Sequence, residues 1–95
     1  MQTEHLFELE MMIENELLKN LDKLHTTEMG IDRIKRNLAL DCDDVVKWCE
    51  NQIKLAGMQK GEKISRKGKN WYVDIGCGII TVNAYSYTII TAHKK

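Results

Sequence analysis

The chain is predicted to fold as an α+β domain, with N-terminal helices packed on one face of a four-stranded antiparallel β-meander. Up to about residue 56, apolar residues recur every three or four positions, the period of an amphipathic helix. After Gly57 that period gives way to alternation, and glycines at 61, 68, 76 and 78 punctuate short β-branched and aromatic runs. A length of 95 residues, 43% hydrophobic and 29% charged, suffices for one modest core and not for a second, so residues 1–95 are expected to form a single domain.

The first element is expected over residues 3–24, where Leu6, Leu9, Ile13, Leu17, Leu21 and Leu24 form one stripe with acidic and basic residues between them. Phe7, Met11, Met12 and Leu18 broaden the stripe, so part of it is available to a protein partner or a second copy as well as to the core. Thr26 or Thr27 is expected to cap a short helix over residues 28–38, with Ile31, Ile34 and Leu38 on its buried side. Asp41 is the expected cap of a third helix. Asp43 and Asp44 would then lie in its first turn, where the helix dipole favours negative charge, and Gly57 would end it. Strands are expected over residues 62–66, 70–75, 79–84 and 86–92, and links this short require antiparallel pairing. Helices on one face of such a sheet leave the other face to solvent or to a ligand.

No run approaches the roughly 18 apolar residues of a membrane span, and the start of the chain lacks the basic and apolar regions of a signal peptide. A cytoplasmic location without membrane contact is expected. Cys42, Cys49 and Cys77 show no Cys-x-x-Cys spacing and are expected to be reduced; thiols spaced like Cys42 and Cys49 make a poor tetrahedral clamp, so neither metal nor cofactor is expected. The net charge of +0 conceals a split: residues 1–50 hold 12 acids and 6 bases, residues 51–95 hold 2 acids and 8 bases. An anion-binding face produces such a split, and so does simple attraction between acidic helices and a basic sheet.

Three segments are candidates for chemistry. Residues 60–72 carry five cations and one acid and run into Trp71 and Tyr72. Lys and Arg there supply phosphate contacts, and an aromatic ring beside them supplies a stacking surface for an unpaired base. Trp71 alternates with Val73 and Ile75 and is expected in the core, which turns Tyr72 to the opposite, basic side. The last strand is unusually polar, and alternation places Tyr87, Ile89, Thr91 and His93 on one face. A hydroxyl and an imidazole on one surface can bind phosphate and move a proton; a histidine before a Lys-Lys tail is equally an ordinary terminus. Residues 24–36 add His25 and Arg33, which fit equally a residue packed at a helix junction and a partner for a neighbouring carboxylate.

The segments 25–38, 43–48, 66–73 and 80–94 resemble a small uncharacterised bacterial family, domain of unknown function 3781, over about residues 17–95. That resemblance implies a bacterial or phage origin and a single-domain fold, and no mechanism. The stretch Thr88-Ile-Ile-Thr-Ala92 also resembles the closing strand of the barnase, EndoU, colicin D and RelE group of metal-independent ribonucleases. In that likeness His25 matches a helix-borne histidine and Lys69 a central basic residue.

The leading expectation is an RNA-directed module, a metal-independent ribonuclease of toxin or phage-defence type. His25 and His93 would transfer protons with Thr91 as hydrogen-bonding partner, Arg33, Arg66, Lys67 and Lys69 would hold phosphate, and Tyr72 would stack a base. The alternative is a non-catalytic regulator that binds nucleic acid through the same basic hairpin, or a protein through its N-terminal helix. One geometric point separates the two: whether His25 and His93 reach a common recess that also receives Lys67 or Lys69.

Overall fold

The computed structural model describes residues 16–59 and 61–95. Most of the stripe expected over residues 3–24, including Leu6, Phe7, Leu9, Met11, Met12 and Ile13, lies outside the described residues, as does Lys60. The described chain runs α1 (Glu16–Lys19), a 3-10 turn (Leu21–Lys23), α2 (Glu28–Leu38), α3 (Val45–Met58), β1 (Ile64–Lys67), β2 (Asn70–Asp74), β3 (Gly78–Asn83) and β4 (Ile89–Lys94). The strands form one antiparallel sheet in the order β1-β2-β3-β4, so the fold is α+β as expected.

The first helix does not continue smoothly to Leu24. Asn20 turns its side-chain amide back onto the Glu16 carbonyl at 2.8 Å and onto the Tyr87 hydroxyl at 3.1 Å. Asparagine competes with the helical backbone in this way, and the chain tightens into the 3-10 turn that follows. Leu17, Leu21 and Leu24 remain buried through the change. Thr27 caps α2 by accepting from the Gly30 amide at 3.0 Å.

Two boundaries of α3 differ from expectation. Its cap is Asp44, whose carboxylate accepts from the Lys47 amide at 3.0 Å, and Asp41 and Asp43 precede the helix. All three aspartates have capping chemistry, and the burial of Val45 and Cys49 selects the register. Gly57 does not stop the helix, which runs on to Met58. A methyl at Gly57 would stand 2.8 Å from the Leu18 side chain, so this glycine lets α1 and α3 approach closely.

Trp71 and Val73 of β2 pair with Val82 and Ile80 of β3, and these four residues face the helices. Ile34, Val45, Cys49 and Ile53 meet them from α2 and α3, and each fully buried aliphatic side chain stabilises the fold by about 1.5–3 kcal/mol. Gly78 is required where β3 starts, because a Cβ would overlap the His93 carbonyl on β4.

β4 corrects the expected strand over residues 86–92. Tyr87 adopts φ 60, which breaks extended structure, and β4 begins only at Ile89. A bulge follows: Thr81 pairs with Thr91 and Val82 with Ile89, so Ile90 is an extra residue on β4. The simple alternation that grouped Ile89 with Thr91 and His93 therefore fails. Ile89 turns into the core with Ala92, while Thr91 and His93 face the other way.

The outer edge of β4 is satisfied by the chain itself. Ile89 donates to the His25 carbonyl at 2.7 Å, and the Thr26 hydroxyl and Asn37 amide donate to the Ile89 and Ala92 carbonyls at 2.8 and 3.1 Å. The segment 25–37 thus covers an edge that would otherwise invite pairing with another chain. Among the described residues no helix is long and apolar enough to cross a membrane.

Candidate nucleic-acid interface

The residues of the sheet opposite the core define a polar face. Cross-strand pairing puts Ser65, Tyr72, Thr81 and Thr91 in one row, one residue from each strand. The row above holds Lys67, Asn70 and Asn83; the row below holds Asp74, Ile79 and His93. Helical core residues pack on the other side, against Trp71, Val73 and Ile80. Thr81, flanked by Tyr72 and Thr91 on the neighbouring strands, is nevertheless only 6% exposed.

Four of the expected site residues therefore share this face: Lys67, Tyr72, Thr91 and His93. Tyr72 is half-buried at its centre, with Lys67 on the diagonally adjacent position of β1. His93 stands two strands over and one row down, roughly 12 Å away by strand spacing and rise. The carboxylate on this face, Asp74, is met by Lys95 at 2.9 Å. That contact, with a hydrogen bond from the Gly76 amide, holds Asp74 below the usual carboxylate range. Its repulsion of an anionic ligand is thereby offset.

The other expected residues lie elsewhere. Lys69 is exposed in the β1–β2 turn, where Gly68 takes φ 59 as the first central residue of a type II′ hairpin requires. Arg66 is on the opposite face from Lys67, paired with Trp71, and its guanidinium lies 5.3 Å from the Trp71 ring centroid and 5.4 Å from that of Tyr85. Arg33 is exposed on α2, one turn before Asn37, and belongs to the covered edge of β4 rather than to the open face.

His25 and His93 do not converge. His25 is fixed beside Thr88, ahead of β4, whereas His93 sits at the far end of that strand beside Ile79. The strand rise between Thr88 and His93 is on the order of 16 Å. One phosphodiester cannot touch both imidazoles, so the two-histidine arrangement expected for RNA cleavage is not assembled.

Around His25 the structure holds a chain of hydrogen bonds that the sequence did not disclose. Nδ1 lies 2.9 Å from the Lys23 carbonyl, which can only accept. Nδ1 therefore donates to that carbonyl, and Nε2 shares a hydrogen bond with the Thr88 hydroxyl at 3.0 Å. The Thr88 and Ser86 hydroxyls share a hydrogen bond at 2.7 Å. These contacts dock the segment before α2 onto the turn before β4.

The family model described as Protein of unknown function (DUF3781) matches residues 18–93. The chain belongs to that family. No curated protein and no solved structure matches it, and nothing in these comparisons supports the likeness to ribonucleases. In this DUF3781 chain, the matched span takes in the whole sheet face from Ser65 to His93.

The cysteines of the DUF3781 chain take three environments. Cys49 is buried, Cys42 is half-buried ahead of α3 rather than within it, and Cys77 is exposed in the β2–β3 turn. Burial, with a smaller contribution from Cys42, pushes the Cys49 thiol up to about 12 and keeps it protonated and unreactive. Among the described residues no group of three or more His, Cys, Asp or Glu side chains is placed to hold a metal.

Proposed function

We propose that the chain is a non-catalytic module that binds single-stranded RNA across its open sheet face. The observation that carries this reading is the position of Tyr72, central on that face, with Ser65, Thr81 and Thr91 in its own cross-strand row. An aromatic ring on an open sheet offers a π-face to an unpaired base, and flanking hydroxyls can hydrogen-bond its edge or the ribose. Lys67 on the same face and Lys69 in the adjoining turn supply charge for the phosphate backbone, and Asp74 is engaged by Lys95. His25 and His93 stand at opposite ends of β4, which supports a binding role over acid–base cleavage by that pair.

Fluorescence anisotropy with short labelled oligoribonucleotides tests this reading. Tyr72→Ala is expected to weaken binding about tenfold, the typical loss of one base–aromatic stack. Lys67→Ala is expected to make the salt dependence shallower by about 0.7 in logarithmic slope, the share of one single-strand phosphate contact. Equal affinity of wild type and Tyr72→Ala would remove the basis of the proposal.

A further inference from the structure

We infer that the exposed ring of Tyr85, backed by Arg66, is a second base-stacking position that takes a purine from the same RNA strand. This rests on the reading of the open face as an RNA surface and extends it past the end of the sheet.

Tyr85 is 75% exposed, yet it is not loosely attached. The Asn83 side chain accepts from the Tyr85 and Ser86 amides, each at 2.9 Å, which fixes the turn. On one side the Arg66 guanidinium lies over the ring, and that guanidinium is itself held by its Nε–H to the Gly68 carbonyl at 3.0 Å and by the Trp71 ring. With most of its area in water, the other side of the Tyr85 ring is open. A rigid aromatic with one free face loses little conformational entropy when a flat ligand lies on it.

The surroundings select the ligand. The Ala84 amide donates to the Lys69 carbonyl at 2.8 Å, so the β3–β4 turn that carries Tyr85 is joined to the basic β1–β2 turn. Arg66 therefore lies over the ring with Lys69 in the adjoining turn, and the stretch from Lys63 to Val73 contains no acid. A guanidinium on one face of a ring withdraws electron density from it, which favours an electron-rich partner on the opposite face. Purines are the larger and more electron-rich bases, so they gain more here than pyrimidines.

The test uses the full chain and labelled oligoadenylate and oligouridylate of equal length, with wild type, Tyr85→Ala, Tyr85→Phe, Arg66→Gln and Tyr72→Ala. Because Tyr85 is on the surface, its substitution leaves the core intact. Tyr85→Ala is expected to lose about tenfold in affinity for oligoadenylate and less for oligouridylate, while Tyr85→Phe retains wild-type binding. Arg66→Gln is expected to shrink the preference for oligoadenylate. If Tyr72→Ala weakens binding and Tyr85→Ala does not, the second position is wrong and the open face stands. The reverse pattern would keep the Tyr85 position and refute the open face. If wild type binds neither oligonucleotide, both are refuted.

Discussion

The hydroxyl of Thr88 lies 3.0 Å from Nε2 of His25, and this contact joins the last loop of the sheet to the start of the helical layer. It spans 63 positions of sequence and, with the bond from Nδ1 to the Lys23 carbonyl, engages both ring nitrogens of the histidine. Thr88→Val keeps the shape and removes both side-chain contacts of Thr88, to His25 and to Ser86. The expected cost is about 1 kcal/mol, measured by urea denaturation. Nitrogen NMR of the imidazole should move from a single Nδ1-protonated form in wild type to a mixture of tautomers in the variant.

Ala39 ends α2 in the left-handed conformation, at φ 54 and ψ 47. A side chain bearing Cβ is strained there by about 1 kcal/mol, and glycine is not. Ala39→Gly is therefore expected to stabilise the protein and to raise Tm by about 4–8 °C in a thermal melt. An unchanged or lower Tm would show that the cap relaxes without cost.

Burial of Cys49 gives a pH signature. The folded chain keeps this thiol protonated up to about 12, whereas the unfolded chain loses the proton near the ordinary value of 9.0. The folded state then binds more protons than the unfolded state between those values. Stability from this group is full below pH 9.0 and declines as pH rises towards 12. Cys49→Ala should flatten that alkaline decline. At neutral pH, alkylation monitored by mass spectrometry should label exposed Cys77 rapidly and reach Cys49 only when the protein unfolds.

Much of the architecture was legible because period and packing agree. The alternation of Trp71, Tyr72 and Val73 correctly assigned the core face and the open face of β2, and Thr27 acts as the cap that its chemistry indicated. What the sequence concealed depends on contacts between distant segments. The bulge at Ile90 is invisible to alternation, because Ile89-Ile90 offers an apolar side chain to the core in either register. Three aspartates in a row of four positions are equivalent as caps until Val45 is packed. The separation of His25 from His93 follows from the pairing of residue 25 with Thr88, and no local pattern encodes that pairing. Tyr85 escaped notice for a similar reason: its cation, Arg66, comes from a strand two removed in the sheet.

The central claim is that RNA lies on the face that carries Tyr72. Amide chemical-shift mapping during titration with single-stranded RNA tests it most directly. The account predicts that the largest shifts fall on Ser65, Lys67, Tyr72, Thr81 and Thr91, with α3 unaffected. Shifts confined to α2 and α3, or none at saturating RNA, would contradict it.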